Sequence, residues 1–447
     1  MTAHAPSLAG AVAEREQVLT AFLEKGQDGL ARACHDLARA FARGGMLIPF
    51  GTGAAATDAA HVAVEFMHPV IVGKRALPAL APTNDPSGAS QLAVLGRDGD
   101  VALAISHRPA DAPVVAFLAE ARRRGLLTIA LTGGAPADAD HALVVDCDDP
   151  VIVQEVQETA YHVLWELVHV FFEHPGLLEE ACLTCGDVAI EAIVVEVEGA
   201  RALVEHDGLR DEVAIDLVAG VRTGDRLLCH AGIALERVEH AGAPDTTGFL
   251  YPFLDARERD LDSVLADVRA STVRKGADTV ALRRAIELDA VAAAARAVRA
   301  ALDGGGRLLA FGNGGSATDA QDLAADALAR GWPAAALAND AATVTAVAND
   351  VGFENVFARQ LIALGSARDV AVAISTSGSS ANIVAGLKEA HRRGMLTVAI
   401  TGYGGGRISE LPWLGHLLRV EGDYVPRLQE VHATIYHLLL DVIGTAR

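Results

Sequence analysis

Two short segments of the sequence place small and hydroxyl side chains where the chain turns. FGNGGSATDAQ (311–321) ends an apolar run in glycines and a serine, and ISTSGSSAN (374–382) crowds hydroxyls at a second turn. Glycine allows backbone amides to approach a ligand closely, and a helix N-terminus offers unpaired N–H donors to an anion. Hydroxyls and amides without a Lys or Arg suit a phosphate monoester. The candidate phosphate-binding residues are Gly312, Asn313, Gly314, Gly315, Ser316, Ser375, Thr376, Ser377 and Ser380.

Other interpretations of these turns are open from the residues alone. Either segment by itself is more often a plain turn followed by a helix cap. Two such turns at successive strand ends of one sheet, where open α/β folds bind ligands, favour a phosphate site. The spacing does not match GxxxxGK[ST] and no lysine is present, so a nucleotide-hydrolysing P-loop is disfavoured.

Internal repetition dominates the rest of the chain. FGTGAAATDAAH (50–61) is a second version of the glycine turn, and the apolar runs VALAIS and LLTIALTG and the segment QEVQETAYH follow it. After FGNGG come VAVAIS, LTVAITG and QEVHATIYH in the same order. The offset between the two series grows only from 261 to 275 residues, which predicts a duplicated domain.

Each copy alternates short apolar runs with amphipathic helical stretches, which favours an α/β fold with a parallel sheet covered on both faces. We expect about five strands per copy and helical segments at 11–43 and 280–303. In the second copy the predicted strands lie near 307–311, 334–337, 370–374, 396–401 and 416–420.

Residues 182–238 break this pattern because apolar and polar residues alternate with period two, which is typical of a small antiparallel β-barrel. A charged stretch, 239–262, is interpreted as a linker. The predicted boundaries are 1–178 for the first copy, 179–240 for the barrel, 241–262 for the linker and 263–447 for the second copy.

Composition narrows the class of protein. The 447 residues carry a net charge of −21, which disfavours nucleic-acid and anionic-membrane binding. No apolar run approaches the roughly 18 residues of a membrane span, and no secretory leader is recognisable. Five cysteines in so long a chain form no disulfide framework, so we expect a protein of the reducing cytoplasm.

The motifs of the second copy resemble a known family. FGNGGSATDAQ, VTAVANDVGFENVF (344–357), AISTSGSSANI, TVAITGYGGG and RLQEVHATIYH together are similar to the phosphoheptose isomerase branch of the sugar isomerase (SIS) domain family, over most of 264–443. The resemblance implies an α-β-α sandwich that binds phosphosugars and forms dimers or tetramers with sites at subunit interfaces. It further implies isomerisation of sedoheptulose 7-phosphate with a zinc ion and an acid–base pair.

The same resemblance implies roles for residues in both copies. The family carries His and Glu four residues apart after the glycine turn, then Gln and, eight residues on, His in its last helix. The first copy keeps all four types but has lost the serine (Ala55) and the hydroxyl loop (ISHRPADAP, 105–113). The second copy keeps the phosphate loops but has aspartates in place of His and Glu. The candidate metal ligands are His61, Glu65, Gln154, His162, Asp322, Asp326, Gln429 and His437.

In the second copy, Asp326 and His437 form the candidate acid–base pair, and Arg330, Asp350 and Gln429 are candidate substrate-binding residues. Aspartate is one methylene shorter than glutamate, so the second copy could bind a phosphosugar without turnover. A composite site shared between the two copies is a further alternative.

The middle segment is similar to the HypC/HupF hydrogenase-maturation chaperones, small OB-like barrels. The resemblance rests on EACLTCGDVAIEAIVVEVEG and GVRTGDRLLCHAGIALERV. It implies that Cys182 contacts iron transiently as a thiolate, with His230 as its partner. The C-x-x-C formed with Cys185 is weak by itself, and an inert structural barrel is the alternative.

These resemblances lead to three functional hypotheses. The first is a maturation or accessory factor for a [NiFe] hydrogenase that carries phosphosugar-binding domains, with maturation proteins or the hydrogenase large subunit as partners. The second is a phosphoheptose ketose–aldose isomerase, and the third a phosphosugar sensor without catalysis. In each case we expect a homo-oligomer or a pseudo-dimer of the two SIS copies.

Overall fold

The computed structural model divides into two compact units, each described by itself. One unit comprises Met1–Phe41, Gly45–Val170 and Leu265–Arg447, and the other Ala42–Gly44 and Phe171–Val264. The described residues are 7–69, 74–82, 88–174, 177–178, 190–199, 201–206, 209–215, 218, 220–230, 233–237 and 261–444.

The first copy contains a parallel sheet of four strands in the order β1-β2-β3-β4. At the β1 edge of this sheet, Leu47 also forms a parallel bridge with Ala79. The strands are β1 (Leu47–Gly51), β2 (Val101–Ser106), β3 (Leu127–Gly133) and β4 (His141–Val145). The helices are α1 (Leu8–Ala42), α2 (Ala55–Met67), α3 (Ala89–Leu95), α4 (Ala112–Arg123) and α5 (Pro150–Phe172).

The middle segment forms a closed, mainly antiparallel barrel in the order β5-β6-β7-β9-β8. Its interior is lined by alternating apolar side chains such as Val194, Val204 and Leu227, as the period of two predicts. The strands are β5 (Ile190–Glu198), β6 (Arg201–His206), β7 (Leu209–Ala214), β8 (Arg226–His230) and β9 (Ile233–Arg237).

The second copy contains a parallel sheet of five strands in the order β11-β10-β12-β13-β14. The strands are β10 (Leu308–Phe311), β11 (Ala334–Ala336), β12 (Val370–Ser375), β13 (Leu396–Thr401) and β14 (His416–Arg419). The helices are α6 (Leu261–Arg284), α7 (Leu288–Asp303), α8 (Gly315–Ala329), α9 (Ala341–Val351), α10 (Val356–Leu364), α11 (Ala381–Arg392), α12 (Gly406–Ser409) and α13 (Val425–Gly444).

The predicted fold class is confirmed, with three differences in detail. The first sheet has four strands and one bridge among the described residues instead of five strands. The predicted helix over 280–303 is interrupted at 285–287, where Ile286 is buried. Helix α6 begins at Leu261, inside the stretch interpreted as a linker. The domain boundaries themselves stay predictions.

Helices α5 and α13 lie at the centre of the unit that holds both sheets. Every residue from Val153 to Val170 is buried, as is every residue from Pro426 to Leu440. A helix buried on all sides cannot leave polar side chains unpaired without cost, so its charged residues must find partners. Several of those partners come from the opposite copy, as described below. Among the helices of the described part of the chain, none combines the length and apolarity needed to cross a membrane.

Candidate functional site

The glycine turn of the second copy joins β10 to α8. Gly314 has φ +54° and ψ −128°, a conformation that a side chain disfavours. The helix begins at Gly315, so amides of its first turn have no helical acceptor. Ser316 is buried at 5% exposure, and the Thr318 hydroxyl donates to the Gly315 carbonyl at 2.6 Å.

The hydroxyl loop of the second copy follows β12, which pairs directly with β10. Gly378 has φ +60°, and a Cβ there would overlap the Gly405 carbonyl, so the loop closes tightly on its neighbour. The Ser375 hydroxyl accepts from the Gly378 amide at 3.2 Å. Reciprocal amide bonds of 2.9 and 2.8 Å tie Asn313 to Asn382 and so fix one loop to the other.

The candidate phosphate-binding residues therefore follow two neighbouring parallel strands. Ser375 is buried and Ser377 exposed, while Thr376 and Ser380 are half-buried.

Side chains from both copies face the first turn of α8. A Cβ added at Gly315 would overlap Nε2 of Gln429 and lie 2.6 Å from Nε2 of His61. His61 comes from α2 of the first copy and Gln429 from α13 of the second. The intact glycine turn of the second copy thus lies against His61, a candidate metal ligand of the first copy.

Hydrogen bonds fix the ring of His61. The Gln429 amide donates to Nε2 at 3.1 Å, and the Tyr161 hydroxyl lies 3.2 Å from Nδ1. A carboxylate oxygen of Glu65, one turn along α2, is 3.7 Å from Nε2. Burial alone would lower the pKa of His61, but the Glu65 carboxylate raises it above its ordinary value.

On helices α5 and α13, each copy supplies a carboxylate that bonds to a histidine of the other copy. Nδ1 of His162 lies 3.0 Å from Oε1 of Glu430, and Nδ1 of His437 lies 2.9 Å from Oε1 of Glu155. Burial would raise the pKa of Glu430, but the charge of Arg427 lowers it to about 2. With Nδ1 donating to the carboxylate of Glu430, the His162 ring keeps the lone pair of its Nε2.

Three buried groups lie close enough to share a metal ion. Ligand atoms of His61, Glu158 and His162 are all within 4.8 Å of one another. Within the described structure, four buried atoms here have no hydrogen-bond partner: Oε2 of Glu65, Oε1 of Glu158, Nε2 of His162 and Oε1 of Gln429. Unpaired buried lone pairs of carboxylate, imidazole and amide suit a divalent cation.

Glu158 was not among the residues predicted from the sequence. Burial, followed by neighbouring carboxylates, raises the pKa of Glu158 well above its ordinary value. The sequence feature that could have pointed to Glu158 is a difference between the copies. The equivalent position in the second copy is Ala433. Glu430 and Glu155 were also missed, since only the packing of the copies brings them to the histidines.

Asp322 and Asp326 of the second copy lie near residues of the other glycine turn and of α13. Nε2 of His437 is 3.5 Å from Oδ2 of Asp326, and the Thr57 hydroxyl donates to Asp322. Thr57 belongs to the glycine turn of the first copy, where Ala55 stands in place of the serine. Asp322 thus lies against the glycine turn of the first copy.

The loop that replaces the hydroxyl loop in the first copy turns a ring inward. Nε2 of His107 lies 2.6 Å from Oδ2 of Asp58, and His107 stands where Thr376 stands in the second copy. The loop ISHRPADAP therefore lacks the cluster of hydroxyls that the second copy has at this turn.

The other predicted residues have their own partners. Arg330 pairs with Asp441 at 3.1 Å, and Asp350 is exposed at the end of α9, where it accepts from Asn349 at 2.8 Å. Gln154 is buried on α5, but the glutamine in contact with His61 is Gln429 of the other copy.

Some predicted residues of the middle segment fall outside the described structure. Cys182 and Cys185 lie outside the described residues. His230 ends β8, but its side chain is not described. Three further cysteines are described as free thiols: Cys34, Cys147 and Cys229.

Two parallel sheets, each with a glycine turn after its first strand and one with an intact hydroxyl loop, define a duplicated sugar-isomerase type of α/β protein. The family model of the SIS domain matches residues 12–133 and 276–402, more than half of the chain, and the chain belongs to that family. The model of the HupF/HypC family matches residues 188–250. That match contains His230 but begins after Cys182. The chain is therefore a tandem SIS protein with an inserted HupF/HypC domain, as predicted.

Two phosphoheptose isomerases with similar sequences support this assignment. The phosphoheptose isomerase of Alkalilimnicola ehrlichii is 43% identical over 162 residues, which are 35% of this chain and 83% of that protein. The phosphoheptose isomerase of Desulfovibrio desulfuricans is 47% identical over 148 residues, 32% of this chain and 70% of that protein. These identities make the chain phosphoheptose-isomerase-like.

A solved structure shares the fold over the whole chain. The C-terminal domain of glucosamine-fructose-6-phosphate aminotransferase from Francisella tularensis covers 97% of this chain and 94% of its own, with a TM-score of 0.53 and 10% identity. At that identity the likeness concerns the fold alone.

Proposed function

We propose that the chain interconverts the ketose and aldose forms of a phosphosugar at one composite site. The second copy holds the phosphate, and the first copy supplies most of the metal and acid–base groups. One observation carries the proposal: His61 of the first copy and Gln429 lie against Gly315, at the intact phosphate turn of the second.

Backbone amides and hydroxyl groups close to the ligand hold the phosphate. Amides at the start of α8 and hydroxyls of Ser316, Ser375 and Ser377 surround the ends of β10 and β12, with Thr376 and Ser380 beside them. Such donors, together with the helix dipole, stabilise a dianion even though the chain carries a net charge of −21. No cationic side chain is needed for this role.

Two histidines and the carboxylates near them fit a divalent cation. The unpaired Nε2 of His162 and the unpaired carboxylate oxygens of Glu65 and Glu158, with the imidazole of His61 beside them, are a donor set that zinc accepts. When bound, such a cation polarises the sugar carbonyl and its neighbouring hydroxyl.

Isomerisation needs one group that moves a proton between two carbons. A carboxylate removes the proton from C1 of the ketose and returns it to C2, while the proton of the O1 hydroxyl passes to O2. A positioned acid–base group contributes roughly 100- to 10,000-fold to such a step. Glu65 occupies that position at the composite site, and the pairing of Asp326 with His437 as the acid–base pair stays a competing prediction.

The test is turnover by the full chain. Purified protein is incubated with sedoheptulose 7-phosphate, the substrate that the family resemblance implies, and aldose formation is followed. We expect turnover by wild type and by Asp326→Asn, and loss of turnover in the double variant His61→Ala/Glu65→Ala. Saturable binding of the sugar without any aldose would refute the isomerase and favour a sensor.

The inserted domain favours a second function on the same chain. Because residues 188–250 match the HupF/HypC family, we propose that the chain also assists maturation of a [NiFe] hydrogenase, with iron as transient cargo. Tethering both activities on one chain raises their effective concentration. Co-purification with the hydrogenase large subunit or other maturation proteins tests this role. We expect capture to fall in Cys182→Ala, and no capture by wild type would contradict it.

A further inference from the structure

We propose that the ring of Tyr403 packs against the carbon chain of the phosphosugar and so helps to select the ligand of the composite site. Tyr403 follows β13, the strand next to β12 in the second sheet. The inference rests on the proposed phosphate site, and it adds a contact with the sugar part of the ligand.

The backbone of Tyr403 has a conformation that a side chain disfavours. Among the described residues, Tyr403 is the only one other than glycine with a positive φ, +47°. In this left-handed region the Cβ atom crowds the neighbouring carbonyl oxygen, which costs free energy at residues other than glycine. Tyr403 is also 43% exposed, so burial of its ring offsets only part of that cost. Backbone strain of this kind clusters at ligand-binding and active sites.

The first copy has the same turn without a side chain. Gly134 stands at the equivalent position and has φ +73°. Its amide donates to the Val145 carbonyl at 2.9 Å, as the amide of Tyr403 donates to the carbonyl of Gly422 at 3.2 Å. Glycine therefore serves this turn in the copy that has lost the hydroxyl loop, and tyrosine stands in the copy that keeps it.

The strained residue lies beside the hydroxyl loop. The amide of Gly402, the residue before it, donates to the Thr376 carbonyl at 3.0 Å. A Cβ added at Gly402 would overlap Cδ1 of Leu428, which precedes Gln429 in α13. Consecutive Cα atoms are about 3.8 Å apart. Tyr403 is therefore one residue from the point where the hydroxyl loop meets the helix that carries Gln429.

The first copy also indicates where a side chain at this position points. A Cβ added at Gly134 would lie 3.6 Å from the ring of Pro109. The equivalent of Pro109 in the second copy is Gly378 of the hydroxyl loop, which has no side chain to fill that space. The side chain of Tyr403 therefore leaves the backbone toward the hydroxyl loop. Its exposed ring is available to a sugar whose phosphate that loop holds.

An exposed aromatic ring suits the apolar side of a sugar phosphate. The C–H groups along the carbon chain present an apolar surface, whereas the phosphate needs only amides and hydroxyls. Aromatic side chains line ligand sites in this way, beside a few polar groups that fix the orientation of the ligand. Inorganic phosphate lacks the carbon chain, so contact with the ring favours the sugar phosphate over the free anion.

The experiment measures binding by titration calorimetry, with sedoheptulose 7-phosphate and separately with inorganic phosphate. The full chain is compared with Tyr403→Gly, which copies Gly134, with Tyr403→Asn, which also tolerates a left-handed backbone, and with Tyr403→Phe. We expect the sugar phosphate to bind about tenfold more weakly to Tyr403→Gly and Tyr403→Asn. The affinity for inorganic phosphate should stay within about threefold in all variants, and Tyr403→Phe should bind both ligands within about threefold of wild type.

Thermal unfolding separates a contact with the ligand from a structural role. Because glycine and asparagine tolerate this backbone, Tyr403→Gly and Tyr403→Asn should unfold at or above the midpoint of wild type. Unchanged affinity for the sugar phosphate in both variants, or an equal loss of both ligands, would overturn the inference. Binding that depends on Tyr403 in a protein without turnover would refute the isomerase and leave the contact standing. No binding of either ligand by wild type would refute both.

Discussion

Substitution of Gly315 by alanine is the most direct test of a site shared between the copies. Gly315 does not have a positive φ, so alanine can adopt its backbone conformation. At a helix position alanine is favoured over glycine by up to about 1 kcal/mol. The added methyl group therefore acts mainly through what it touches.

The magnitude follows from the contacts of that methyl group. The new Cβ would lie 2.6 Å from Nε2 of His61 and would overlap Nε2 of Gln429. An ordinary contact is about 3.4 Å or longer, so the ring of His61 must retreat by roughly 0.8 Å and the amide of Gln429 by more. A misplacement of about 1 Å costs on the order of 100-fold in rate, which corresponds to about 2.7 kcal/mol of transition-state stabilisation. Overpacking costs about 1–3 kcal/mol of folding stability, and the helix propensity offsets part of it.

The assay compares kcat/KM for aldose formation with the midpoint of thermal unfolding. The matched control is Ala54→Gly, the equivalent position in the first copy, which removes a methyl group beside the degenerate turn. We expect Gly315→Ala to lose about 100-fold in kcat/KM while remaining folded, and Ala54→Gly to stay within about threefold of wild type. Wild-type activity in Gly315→Ala, or an equal loss in both variants, would refute a composite site at this turn.

Three further outcomes are expected. Glu430→Gln weakens the bond that orients His162, so cobalt affinity should fall by about 10- to 100-fold in a titration; unchanged affinity would contradict the positioning role. Burial lowers the pKa of His432 to about 4, whereas the unfolded chain binds the proton near 6.5. Stability should therefore fall as the pH drops from 6.5 to 4, by up to about 3 kcal/mol. His432→Gln, which copies Gln157 of the first copy, should flatten that dependence in denaturant unfolding at pH 7 and 4.5, and an identical slope would exclude His432 as its source. Asp326→Asn should keep turnover within about threefold; a loss near 100-fold would instead identify Asp326 as the acid–base group.

Local sequence patterns predicted most of the second copy because its elements are defined by neighbours along the chain. The five strands from 307–311 to 416–420 were expected from apolar runs between helical stretches, and the structure places all five. A fifth strand was also expected in the first copy, but its described residues show a bridge between Leu47 and Ala79 there instead. Helix α6 was missed at its start because its charged residues resemble a linker.

The site was predictable only where its residues follow a motif. The phosphate turns, His61 and His162 were expected from spacing and resemblance. Glu158 was not, because no motif contains it, and comparison with Ala433 in the second copy was the only signal. Only the tertiary structure brings Glu158 close to His61, which lies on another helix.

The sequence by itself determined the duplicated α/β architecture, the barrel between the copies and the phosphate-type turns, because periodicity and glycine placement act over a few residues. Only the tertiary structure decided which copy completes which site. Helices α5 and α13 are buried against each other's copy, and their charged residues must find partners there. That requirement brings Glu430 to His162 and Glu155 to His437, and it places His61 at the turn of the other copy.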